Sequence, residues 1–499
     1  MDVGYARASL AILPMFELHI KGTLSNDPRP WLSLATWGRP QGAGERLQAI
    51  TLLGRIAMVI GLGASTCIAQ SDFRLEAEIN RYLQPYFESK NFSGAVLVSM
   101  NRRVVFKGAY GFFDCEKHAQ NTTETRFHIA SVSMQFTAAA ILRLIDAGSI
   151  KLEEKVGTLA EGVEGADKIT VRDLLMQRSG LPDINSFPDY DNVLEHHQTP
   201  SSLIAEIRGK PLLFEPGSKY MHEEHSAYNL LALIVEKKTG MPFAAALKEL
   251  VFRPTGLTQS GIDDDIVDPT LQMARGYQPE GAYELKPAKA IHWSAKTGNG
   301  SAYTSVADAA RWVDRLFLSD FLNRESRRLV LDTSSRVGYG WFRGMNQRFG
   351  QTAYYMNGRA PGFSSLILYM PDHQLTVIVL SNIYSSATTT IGYDLAAISL
   401  RQPYQSFHIA EASPATLKQC AGTFQFGPDF YQANATMSVI AREKELAMRW
   451  PSGETSVLLP LGNDRFVDRS YWTEVKIERD QTGRPAAMIY DQFRGTALR

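Results

Sequence analysis

"HIASVSMQFTAAAILRLIDAG" spans residues 128–148. Phe136, Ala140 and Leu144, with Ile141 and Ile145, recur at three- and four-residue spacing, the period of a helix face turned to a core. Ser131 stands at the entry to that helix. A serine there can be an N-cap, or it can be a nucleophile held at the head of a buried helix. A capping box would place Glu or Gln three residues on, and Met134 stands there instead. A nucleophilic serine needs a base within hydrogen-bond reach, and i+3 is the helix position that shares its face. Here too the residue is Met134, whose thioether cannot take a proton.

Outward from this helix, "FSGAVLVSMNRRVVFKGAYG" (92–111) predicts a hairpin turning at Asn101. "GFSSLILYMPDHQLTVIVLSN" (362–382) predicts a second, followed by a helix from about 385 to 400. The first and last strands bracket a helical or looped middle, with turns at "SGLPD" (179–183) and "EPGSK" (215–219). They are expected to pair in one antiparallel sheet. "EHSAYNLLALIVEKKTG" (224–240) reads as a buried helix ending on Gly240, and "SVADAARWVDRLF" (305–317) as an amphipathic helix capped by Ser305. After a polar linker (401–415), "ATMSVIARE", "ELAMRW", "TSVLLPL", "RFVDR" and "TEVKIER" are short strands between Gly, Asn and Asp, a small all-β domain over 416–499.

With 499 residues the chain exceeds what one hydrophobic core serves. Its 52 basic and 52 acidic residues give no pull toward nucleic acid or anionic membrane. "RIAMVIGLGASTCIAQSDF" (55–73) has the pattern of a signal peptide cleaved after Ala69, too short in its apolar core to span a bilayer. Residues 1–69 are thus expected to be leader and signal, and the mature chain to be exported with no transmembrane span. Lipidation at Cys67 is the weaker alternative, since "AST" is a poor lipobox. Cys115 and Cys420 fall in different domains and suggest no disulfide framework.

Together, "FHIASVSMQFTAAAIL", "ITVRDLLMQRSGLPD", "FEPGSKY…YNLLALIVEKKTG", "GNGSAYTSVADAARW", "GYGWF" and "APGFSSLILYMPDHQLTVIVLSN" resemble the serine β-lactamase and penicillin-binding protein family, in its class C and esterase-like branch. The resemblance runs from about 78 to 398, within a main domain taken as 70–400. It implies an α/β (α+β) fold: an antiparallel sheet flanked by helices, an all-helical lobe, and an active site in the cleft between. The final segment resembles the β-barrel-like domains appended to members of this family. Small acyl or peptide ligands are implied; no cofactor or metal is.

The family's chemistry uses three clusters. In Ser-x-x-Lys, Ser131 keeps the nucleophile position and Met134 replaces the lysine. The Tyr-x-Asn positions fall on His222 and Glu224 counted from Pro216-Gly217, or on Glu223 and His225 counted back from Tyr228. "HEEH" (222–225) has three readings. Its i, i+3 histidines do not fit the i, i+4 zinc-protease spacing. His222 could act as a rebuilt base for Ser131 with Glu224 as its orienter, in Ser-His-acid fashion. Or the stretch is a solvated polar loop. The Lys-Thr-Gly position, fixed by the downstream "PGFSS", reads Met356, Asn357, Gly358, Arg359; the literal "KTG" runs at 238–240 and 296–298 lie off the cleft strand. Met134, Asn357, Gly358 and Arg359 are the candidate ligand-binding positions, with Gly358 leaving room for a ligand backbone. By the resemblance, the backbone amides of Ser131 and Arg359 form the oxyanion hole.

All three clusters are altered while core patterns persist, so a maintained fold without the Ser-Lys-Tyr mechanism is expected. It would bind a peptide or cell-wall-like ligand. The alternative is a hydrolase, an esterase, D-aminopeptidase or β-lactamase-like enzyme, working through Ser131, His222 and Glu224.

Overall fold

Strands Phe363–Met370 and Leu375–Ser381 are wholly buried, because their alternate side chains enter two different cores. Leu366, Leu368, Val377 and Val379 pack with Ile79, Tyr82, Leu83, Ile391 and Leu395 on one face. Ile367, Ile378 and Leu380 face the other core with Phe136, Ile141, Trp312 and Leu316. Period-two alternation between two apolar layers explains why these strands read as unbroken apolar runs.

The structure, a computed structural model, describes residues 73–221, 224–265, 271–384, 387–443 and 445–498. The proposed leader, including Ala69 and Cys67, lies outside them. The unit Leu75–Arg499 is compact by itself. Its main sheet has seven antiparallel strands. In spatial order they are Val337–Gly338, Trp341–Asn346, Gln351–Ala360, Phe363–Met370, Leu375–Ser381, Gly94–Met100 and Arg103–Tyr110. The expected closure of first strand on last is present, with Gly94 opposite Ser381 and Met100 opposite Leu375. Asn101 and Arg102 turn the first hairpin at φ +50° and +61°, the conformation a two-residue loop needs to match strand twist.

The helix through residues 75–88 and Ala387–Ser399 cover one face of the sheet. Met134–Asp146, His225–Thr239 and Val306–Leu318 build the other core. Gly240 ends the second of these at φ +69°, its amide donating to the Glu236 carbonyl; Ser305 caps the third by accepting from the Asp308 amide. The helical middle also holds small sheets that the sequence did not suggest. Phe127–His128 and Gly261–Ile262 flank Ala302–Thr304, and Tyr277–Glu280 pairs with Glu284–Pro287.

Eight strands from Gly422–Gln425 to Phe493–Ala497 close into a barrel. Phe424, Met437, Leu446, Met448, Phe466, Val475 and Met488 fill it. Leu459, Val467 and Trp472 point outward into the core against the 75–88 helix, where Trp472 stacks on Tyr86 at 4.4 Å. Arg469 is buried and donates to the carbonyls of Glu280, Gly281, Glu284 and Lys90. The barrel is therefore docked on the main body. The polar segment 401–415 is pinned as well, with Phe407 buried in the same core.

Candidate active site

Ser131 lies in a 3-10 turn, Ala130–Ser133, that runs straight into helix Met134–Asp146. It is not the helix cap; Ser133 occupies that position, without a side-chain capping bond. Ala130 sits at φ +48°, where a Cβ is disfavoured, and this kink swings the chain from strand Phe127–His128 into the helix. The turn is held from both sides. Ile129 donates to the Ala302 carbonyl at 3.0 Å and accepts from Ser365 Oγ at 2.8 Å. Ser133 Oγ accepts from the Ala302 amide at 3.0 Å. Among the described residues, neither the hydroxyl nor the amide of Ser131 has a hydrogen-bond partner. A free amide beside the serine is what an oxyanion donor requires.

The strand Gln351–Ala360 lies against this turn. A Cβ on Gly358 would stand 2.3 Å from the Ile129 carbonyl oxygen and 2.9 Å from the Ser131 amide nitrogen. The serine turn itself thus demands a glycine at this position. Alternation along the strand buries Met356 and Gly358 and leaves Asn357 and Arg359 half-buried, pointing the other way. The Arg359 guanidinium stacks over Tyr384, 4.3 Å from the ring centroid.

Met134 is buried at 3% exposure, and its Sδ accepts from Gln177 Nε2 at 3.4 Å. Gln177, buried at φ +53°, opens the "QRSGL" turn. Only tertiary packing brings its amide to the Met134 sulfur, so sequence spacing could not find it.

His222 and Glu223 lie outside the described residues. Both described members of "HEEH" reach back to the 177–184 loop. Glu224 is completely buried, its two carboxylate oxygens accepting from the amides of Gly180 at 2.8 Å and Ser179 at 3.2 Å. Burial pushes its pKa up to about 7, against the lowering effect of those two amides. His225 Nδ1 pairs with the Asp183 carboxylate at 3.1 Å. These contacts clamp the loop onto the start of helix His225–Thr239.

One buried imidazole lies just before the serine segment, and one buried lysine lies on the turn that carries Trp293. His128, three residues before Ser131, is buried with Nε2 on Asp263 Oδ2 at 2.8 Å, and its ring stacks on Trp293 at 3.7 Å. Burial lowers the His128 pKa although Asp263 works in the opposite direction. Lys296, from the second "KTG" run, is buried and donates to Tyr190 Oη at 3.1 Å.

The family model described as Beta-lactamase matches residues 79–399. The chain is similar to penicillin-binding protein 4* of Bacillus subtilis strain 168, with 24% identity over 442 residues, 82% of this chain and 96% of that protein. Among solved structures it resembles a penicillin-binding protein from Bacillus halodurans, at TM-score 0.57 and 23% identity over 65% of this chain and 98% of that one. It also resembles the octameric penicillin-binding protein homologue from Pyrococcus abyssi, at TM-score 0.59 and 20% identity over 84% and 99%. With its antiparallel sheet, its serine turn and a family match over most of its length, this chain belongs to the β-lactamase family.

Proposed function

We propose that this chain is an exported member of the family that holds a small acyl or peptide ligand, of cell-wall-like chemistry, in its cleft without turnover by the Ser-Lys-Tyr route. The observation that carries the reading is Met134: the lysine position is filled by a buried thioether already engaged by Gln177. Losing a positioned base costs about 10²–10⁴ in rate, and losing one member of a coupled set can cost on the order of 10⁶. The serine turn, with its unengaged amide, is kept. Export rests on the 55–73 segment alone, and among the described residues no helix is long and apolar enough to cross a membrane.

The test is intact mass after incubation with a fluorophosphonate, beside a Ser131→Ala control. The expected result is no adduct on a chain that melts cooperatively. An adduct absent from the control would overturn the reading and favour a rebuilt site with His222 as base.

A further inference from the structure

We propose that His197, Asp265 and His292 form a binding site for one divalent transition-metal ion of the zinc type. His197 Nδ1 lies 2.9 Å and His292 Nδ1 3.2 Å from the same atom, Asp265 Oδ2. One ligand atom from each residue falls within 4.8 Å of the other two. Zinc bonds of about 2.0–2.2 Å to imidazole nitrogen and carboxylate oxygen give a tetrahedral edge of about 3.3 Å. The two observed N···O separations are already near that edge, and the two imidazole nitrogens, within 4.8 Å of each other, complete the triangle by small side-chain rotations.

The carboxylate is oriented for this use. Its other oxygen, Oδ1, faces the Ser294 amide at 3.4 Å, and the Asp265 amide donates to Asp263 Oδ1 at 2.9 Å. Backbone contacts thus fix the residue and leave Oδ2 to the imidazoles, the outer-shell arrangement that steadies metal ligands. Two neutral imidazoles with one carboxylate make a net-negative donor set suited to zinc. The His197 and His292 side chains are 54% and 45% exposed, so the site has an entry path and room for water as a fourth ligand.

The three ligands come from segments 68 and 27 residues apart, a separation that no zinc motif in the sequence could flag. The site also adjoins the serine segment. Trp293, next to His292, stacks on His128, and Asp263 bonds both His128 and the Asp265 amide. The proposal stands whether or not Ser131 reacts.

The test is calorimetric titration of Zn²⁺ into the tag-free, chelator-stripped full chain. One ion per chain is expected, with affinity at least tenfold weaker in His197→Ala and in His292→Ala. Asp265→Asn, which keeps a neutral acceptor for both imidazoles, should lose affinity to the same degree while melting as the parent does. His225→Ala should bind as the parent does. Absence of saturable Zn²⁺ binding to the parent chain would overturn the proposal. So would affinity retained in Asp265→Asn and in both single histidine variants, or lost equally in His225→Ala, since the ion would then sit elsewhere.

Discussion

A lysine placed at position 134 should destabilise the protein strongly at neutral pH. Met134 is 3% exposed, packed in the core that contains Phe136, Ile141 and Tyr228, and the one polar atom on its sulfur is a donor, Gln177 Nε2. A lysine in Met134→Lys would meet no anion there among the contacts described. Burial of this depth lowers a lysine pKa by about 3–5 units from its usual value near 10.4. With the folded value near or below about 7, folding at pH 7 must strip the proton. At about 1.36 kcal/mol per unit, that costs about 4–5 kcal/mol, a large part of the about 5–15 kcal/mol that stabilises a typical domain.

The pH dependence fixes the cause. A base whose folded pKa is depressed binds fewer protons when folded than when unfolded, so stability rises with pH through the window from the folded value to about 10.4. The deficit of Met134→Lys should therefore shrink to about 2 kcal/mol at pH 9. A remainder of about 1–3 kcal/mol would persist from the Gln177 amide left without an acceptor. Met134→Leu, of similar volume, also removes the acceptor of the Gln177 amide, so it should lose about 1–3 kcal/mol, and by the same amount at both pH values. Guanidinium melts of the two variants at pH 7 and 9 measure this directly. A lysine variant within about 1 kcal/mol of the leucine variant at pH 7, or a deficit independent of pH, would refute the argument. The position would then be wet or charge-paired, and the case against the family mechanism would lose its main support.

Three other outcomes follow from contacts already described. Glu224, raised from 4.5 to about 7, holds more protons folded than unfolded, so stability should fall by about 3 kcal/mol as pH rises from about 4.5 to about 7; Glu224→Gln should abolish that slope, and a slope unchanged in the variant would assign it to another group. Gly358→Ala puts a methyl 2.3 Å from the Ile129 oxygen, backbone against backbone, and should cost about 3 kcal/mol in a denaturant melt; a loss under about 1 kcal/mol would show that the serine turn yields easily. Arg469→Ala strips the donors from the carbonyls of Glu280, Glu284 and Lys90 and should cost about 2–5 kcal/mol, with faster proteolysis between barrel and main body; unchanged proteolysis would mean that Trp472 and Val467 suffice to dock it.

Particular residues show why the fold was legible and the site less so. Strand 363–370 and helix 134–146 carry their burial in local periodicity, and Gly240 and Ser305 end or begin helices by chemistry confined to one turn. Such signals lie within a few residues of each other, and the two hairpins followed from them. The candidate site is made of contacts across large separations. Met134 meets Gln177 over 43 residues, Glu224 meets Gly180 over 44, and His128 meets Asp263 over 135. Residue type alone identified Met134 as unable to act as a base. It did not reveal that Gln177 already engages the sulfur, nor that two members of "HEEH" brace the loop opposite. Those contacts bear most directly on the proposal that the Ser-Lys-Tyr route is closed. Met134 and Glu224 each hold a packing or clamping partner, so replacing either one would break a contact before it made one. If the proposal holds, a site packed in this way resists recovery of that route one step at a time.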